Sequence, residues 1–151
     1  MNVSSKHIEK YILDSFSHVN PLNSWGELSF FINPNNKLKR GTYFATLKLK
    51  DGENDSSSNL NRDGIFRLNI GLPAKNYISL FGEKPKRPAK GCVIEAPFDF
   101  SATNIIMPHP VYGWMGWICV LNPDQKKLNE CKIYLKDAYD YSYKKTLKKL
   151  S

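Results

Sequence analysis

The chain has 151 residues, of which 41% are hydrophobic and 13% aromatic, and carries a formal net charge of +8. That length fits one domain able to bury roughly 70% of the surface its unfolded form exposes, and the aromatic content excludes a disordered chain. Three cysteines without a CxxC pair, no run approaching ~20 apolar residues and a polar N-terminus argue against a disulfide framework, a zinc knuckle, a membrane span or an export signal, so a cytoplasmic protein with reduced thiols is expected.

From Ser4 to Val19, the residues Ile8, Ile12, Phe16 and Val19 recur at helical spacing, predicting an amphipathic helix with Ser4 or Ser5 as its N-cap. NPLNSWG then reads as a turn, and ELSFFIN alternates Leu28, Phe30 and Ile32 against Glu27, Ser29 and Phe31 as a strand. After the turn-rich NPNNKLKRG, the stretch TYFATLKLK puts Ala45, Leu47 and Leu49 on one face. Thr46, Lys48 and Lys50 point to an outer face that is wet or meets a partner. DGENDSSSNLNRDG, from Asp51 to Gly64, is a long polar loop with no phosphate-binding pattern, and mobility is expected of it.

GIFRLNIG directs Phe66, Leu68 and Ile70 inward and Arg67 and Asn69 to the opposite face. Pro73 opens a short helix that Gly82 ends. GEKPKRPAKG predicts a basic, extended surface loop, and the prolines of CVIEAPFDFSATNIIMPHP leave no strand that can be placed. YGWMGWICVL is apolar at nearly every position, as in a strand covered on both faces, and Asn122 and Pro123 supply the N-cap and first position of a helix to about Lys149. Leu128, Cys131, Leu135, Ala138 and Ser142 form its packed stripe. Helices segregated about a mainly antiparallel sheet define a single α+β domain over residues 1–151.

The charge is unevenly spread: of the 22 basic residues, eight lie between Lys126 and Lys149 and four between Lys84 and Lys90. It reads either as solubilising charge or as a footprint for a polyanion. With three histidines, two of them eleven residues apart on the first helix, no pair has ligand spacing, and neither a metal nor a cofactor is expected. Cys119 and Cys131 fall on apolar stripes, which leaves His109 as the one outstanding base. Arg67 can offer its planar fork to a carboxylate or phosphate with Asn69 beside it, or pair with an acid such as Asp63 or Asp99 and tie loops to the sheet. Lys48 extends the same face. Trp114 and Trp117, three apart in the expected strand, should face opposite sides, and Gly113 and Gly116 leave a shallow platform on which Trp114 forms a rim with His109 and Tyr112. The alternative for these aromatics is packing in the core or at an interface.

FRLNIGLPAKNYISLFG, the His- and Trp-bearing segment MPHPVYGWMGWICVLNP and the DAYD of the final helix together resemble the YjbR or MmcQ-like proteins. These are small bacterial domains of a CyaY-like α+β fold described as double-wing DNA-binding-like, and the resemblance runs from Ile8 to about Tyr143. RDGIFRLNIG and MPHPVYGWMGWICVLNP are also similar to a related group of bacterial proteins of unknown function. The chain departs from YjbR-like proteins where they carry Lys-x-His-Trp, having Pro108-His109-Pro110 and Trp114-Met115-Gly116-Trp117 instead. The resemblance implies the CyaY-like fold and, by analogy, DNA binding. Together these readings lead to a non-catalytic module for an anionic or aromatic ligand, nucleic acid in particular, lined by Arg67, Asn69, His109, Tyr112 and Trp114 with Lys48 in support. The alternatives are a small-molecule pocket or enzyme in which His109 and Arg67 meet an acidic metabolite, and an interaction or homodimer module.

Overall fold

The side chain of Ser4 accepts a hydrogen bond from the His7 amide at 3.1 Å and starts α1 (Ser5–Ser15) in the computed structural model, which describes residues 3–151. The helix stops short of the expected Val19 because His18 takes a positive φ of 64° and turns the chain into β1 (Val19–Ser24). NPLNS is therefore strand, where a turn was expected. The turn itself is only Trp25 and Gly26, with φ of 56° and 79°, which suits a two-residue hairpin to β2 (Glu27–Ile32). Pro21, which cannot donate to a ladder, is tolerated because β1 is an edge strand.

The remaining elements are β3 (Thr42–Lys48), β4 (Arg67–Gly71), α2 (Ala74–Phe81), β5 (Met107–Pro108), β6 (Trp117–Leu121) and α3 (Gln125–Leu150). They complete a six-stranded antiparallel sheet of order β1-β2-β3-β4-β6-β5, an α+β arrangement with an N-terminal, a short middle and a long C-terminal helix. Alternation explains which side the helices cover. Phe30, Ala45, Leu47, Leu68, Ile70, Ile118 and Val120 point to one face and pack with Ile8 and Ile12 of α1 and Leu128, Cys131, Leu135 and Ala138 of α3. All of these are essentially inaccessible to solvent, so this face carries the main core.

Three further expectations are corrected. Tyr112 to Gly116 is not strand: Gly113–Met115 form a single 3-10 turn, and the ladder begins only at Trp117. Asp124, not Asn122, caps α3 by accepting from the Lys127 amide at 2.7 Å. Asn122 takes a φ of 40° and clamps the start of β4, accepting from the Phe66 amide at 2.9 Å and donating to the Gly64 carbonyl at 2.8 Å. Lys48, expected on a wet face, is buried, while Leu49 lies past the strand end and is exposed. Among the described residues no helix is long and apolar enough to cross a membrane.

Trp25 is 90% exposed and held in a left-handed conformation that a bulky side chain adopts at a cost. Replacing it with Asn, which tolerates that conformation, produces an Asn-Gly hairpin turn. Trp25→Asn is expected to raise the unfolding free energy by up to about 1 kcal/mol, read from the urea midpoint at unchanged m-value.

Candidate functional site

Opposite the helical face, the same alternation lines up polar side chains in cross-strand rows. Glu27, Lys48 and Arg67 occupy one row and Ser29, Thr46 and Asn69 the next, each row running on into the apolar residues of β6, Leu121 and Cys119. The β6 end is sealed by a second, smaller core in which Leu60, Ile94, Phe100 and Met107 close over Cys119 and Leu121. Met107 belongs to β5, and the other residues supplying that lid come from the two long irregular segments between β3 and β4 and between α2 and β5. These loops are built onto the sheet.

Arg67 is the anchor. It is completely buried, and its guanidinium is taken up on every side. Nη1 donates to Asp55 Oδ1 at 3.0 Å and to Ser58 Oγ at 2.9 Å, Nη2 donates to Asp55 Oδ2 at 2.5 Å, and Nε donates to Asn69 Oδ1 at 2.7 Å. Nη2 also lies 3.2 Å from His109 Nε2. The partner is Asp55 rather than Asp63 or Asp99, and the pairing ties the polar loop, expected to be mobile, to the centre of the sheet. The network continues through Asn69 Nδ2 donating to Thr46 Oγ1 at 2.9 Å and Thr46 Oγ1 donating to Glu27 Oε2 at 2.7 Å. Lys48 Nζ lies 3.6 Å from Glu27 Oε1. With Asp55 from the loop, two cations thus face two carboxylates, and the network carries no net charge.

His109 is delivered by β5, its own amide donating to the Trp117 carbonyl at 2.9 Å. Its Nδ1 accepts from the amides of Val111 and Tyr112 at 3.1 and 3.0 Å, so the chain after Pro110 curls around the ring. Each ring nitrogen therefore faces N–H groups. A neutral imidazole can accept on one side only and a protonated one on neither. Burial, and then the charge of Arg67, hold His109 well below its ordinary pKa, an effect that Asp55 offsets only in part. Burial alone would raise the Asp55 carboxyl, yet the hydrogen bonds and charge of Arg67 outweigh it and hold the group below its ordinary value. Cys119, beneath the same network, is pushed up to about 12 by burial and is not a nucleophile at neutral pH.

Where the loops stop, a half-enclosed cleft of about 230 Å³ remains. Its floor is Glu27, Ser29, Thr46 and Asn69, and its walls are His109, Tyr112, Met115, Trp117 and Tyr43. Tyr43 and Trp117 sit with ring centroids 5.5 Å apart, and His109 and Tyr112 5.2 Å apart. Trp117 lies over Gly71, its cross-strand partner: a Cβ there would come within 2.7 Å of the indole, so only glycine lets the ring lie against the sheet.

Of the residues read from sequence as a binding surface, Arg67, Asn69 and His109 are in direct contact and Tyr112 adjoins them, with Asn69, His109 and Tyr112 lining the cleft. Arg67 lies beneath the cleft, and Lys48 is reached only through Glu27. Trp114 is not in the cleft; it lies under the guanidinium of Arg87, 4.9 Å from its ring centroid, in a neighbouring depression. Trp117 takes the place expected of it. Reasoning from sequence missed Glu27, Ser29, Tyr43, Met115 and Asp55. The alternation that set Thr46 beside Lys48 was the available signal for Glu27 and Ser29, whereas nothing local marks Asp55 among 14 acidic residues. Among the described residues no cluster of three His, Cys, Asp or Glu could hold a metal ion.

An antiparallel sheet with helices on one face and a loop-built polar cleft on the other defines an α+β protein with a preformed pocket. Residues 2–151 match the family of unknown function DUF6194, to which the chain belongs. No curated protein and no solved structure matches it.

Asp55→Asn leaves the Arg67 charge buried without its counter-ion and is expected to cost about 3–5 kcal/mol of stability, measured by urea unfolding. His109 stays neutral in the fold at pH values where the unfolded chain protonates it, so the unfolded state gains protons below about pH 6.5 and stability falls with acidification, approaching ~1.4 kcal/mol per pH unit. His109→Gln is expected to flatten that dependence between pH 6.5 and 5. An unchanged slope in urea titrations at these pH values contradicts the assignment. Asp55, being depressed, adds stability that is present above about pH 4 and is lost only as the pH falls through its folded value.

Proposed function

We propose that the protein is a binding module for a small, planar, polar ligand that enters the cleft above Asn69, ring-stacked against Trp117 and hydrogen-bonded to Glu27. The observation that carries this reading is the cleft itself: a carboxylate, two hydroxyls and an amide converge on its floor beneath aromatic walls. Its volume lies below the ~300–1,000 Å³ of pockets that hold drug-sized molecules, which favours a ligand of one or two rings.

The chemistry of the floor selects for donors. Arg67, the residue that would attract an anion here, has Asp55, Ser58 and Asn69 for partners, whereas Glu27 keeps a third of its side chain exposed. A ligand that presents N–H groups, such as an amino-substituted heteroaromatic ring, fits better than an acidic metabolite. Binding is favoured over catalysis because the displaced titratable groups of the walls are moved away from neutrality, His109 downwards and Tyr43 upwards, Tyr43 chiefly by burial. A cytoplasmic setting belongs to the same proposal, supported by three free cysteines. The likeness of Phe66–Gly82 to YjbR-like proteins is compatible with this reading but does not carry it.

Calorimetric titration of the full chain with adenine, cytosine and 2-aminopyridine is expected to give saturable binding to at least one. Glu27→Gln should weaken that binding by about tenfold or more, since a hydrogen bond to a charged group contributes roughly 1.5–3 kcal/mol. Absence of binding to all three, or an unchanged affinity in the variant, overturns the reading.

A further inference from the structure

Beside the cleft runs a strap of the chain that is not used by the network around Arg67. Between Lys84 and Lys90 it carries four cations, Lys84, Lys86, Arg87 and Lys90, with no acidic residue among them. Pro85 and Pro88 restrict its backbone, and none of the four cations makes an ion pair among the described residues. Arg87 is placed by stacking on Trp114. A guanidinium lying over an aromatic ring can still offer its in-plane N–H fork, the part that recognises phosphate oxygens, to another partner. Arg87, Lys90 and Trp114 line a depression of about 270 Å³ whose remaining wall includes Tyr112. Tyr112 is also a wall of the cleft, so the two hollows adjoin at one aromatic residue that lines both.

From this continuity we propose that the two hollows are one site for a nucleoside monophosphate unit. The base enters the cleft against Trp117 with its exocyclic amine on Glu27, the sugar passes the ring of Tyr112, and the phosphate rests on Arg87 and Lys90. The inference rests on the cleft being a ring-binding site and adds the anionic half of the ligand. Of the two groups of charge that the sequence offers to an anion, Arg67 is taken up by Asp55, and the cluster between Lys84 and Lys90 is the one without ion pairs among the described residues. The separation of functions is chemically sensible: the part-exposed Glu27 carboxylate would repel a phosphate from the cleft floor, and the unpaired cations beyond Tyr112 attract it. The unit can come from a free nucleotide or from a nucleotide within a single strand, which share this chemistry.

Calorimetry on the full chain tests the proposal with adenosine and cytidine, their 5′-monophosphates and a tetranucleotide of each base. The monophosphates are expected to bind about tenfold or more tightly than the nucleosides, an advantage that shrinks as salt rises. Arg87→Ala combined with Lys90→Ala should erase that advantage and leave nucleoside affinity unchanged. A tetranucleotide binding more tightly than its monophosphate identifies a strand as the source, and equal affinity identifies the free nucleotide; both outcomes support the site. Equal affinity for nucleoside and monophosphate, or an advantage that survives the double substitution, overturns the phosphate subsite while the cleft reading stands. If free adenine, cytosine and 2-aminopyridine also fail to bind, the cleft reading falls with it.

Discussion

A single buried guanidinium organises the polar face of this protein's sheet. Moving an arginine out of water is costly, and a buried ion pair on its own is weak evidence of net stability, because attraction between the partners is largely offset by the desolvation of both. What the Arg67–Asp55 pair does supply is a unique answer to where the long polar loop belongs. The guanidinium has five N–H groups at fixed angles, and Asp55, Ser58, Asn69 and His109 meet them from different parts of the chain. Any other placement of that loop would leave a buried charge without partners, so the loop is specified by polar geometry in a region where apolar packing alone would be permissive.

The sheet consequently serves two purposes through one alternation. Residues pointing to one side make a core with the helices, and those pointing to the other make the polar rows that run from Glu27 to Arg67 and from Ser29 to Asn69. The transition along β6 is abrupt. Beyond Asn69 the row becomes Cys119 and Met107, and a second core takes over. The cleft lies where neither the second core nor the Arg67-anchored loop extends, so the polar row of the sheet is left as its floor beneath largely aromatic walls.

The helices and the strands β2 to β4 were legible in the sequence because their periodicity is local, and the same alternation placed Arg67, Asn69 and Lys48 on one face. Three things escaped it. The edge hairpin was hidden because Pro21, Asn20 and Asn23 read as turn residues; only pairing to β2 makes them a strand. The exchange of Trp114 for Trp117 follows from a 3-10 turn that shifts the phase of the chain just before the ladder begins. The cap of α3 was displaced from Asn122 to Asp124 because Asn122 is occupied elsewhere, clamping a strand far away in sequence. In the first and third cases a long-range contact overrode a local preference.

Gly71 gives this architecture a separability of its own. A methyl group at that position would lift the indole of Trp117 away from the sheet, since it would meet the ring at 2.7 Å, while the backbone ladder between β4 and β6 asks nothing of a side chain there. The depth of the cleft is thus written into one missing carbon atom. A lineage could close the pocket by that single change and keep the helical core untouched, so that descendants with the same scaffold, and without the cleft, lie one substitution away.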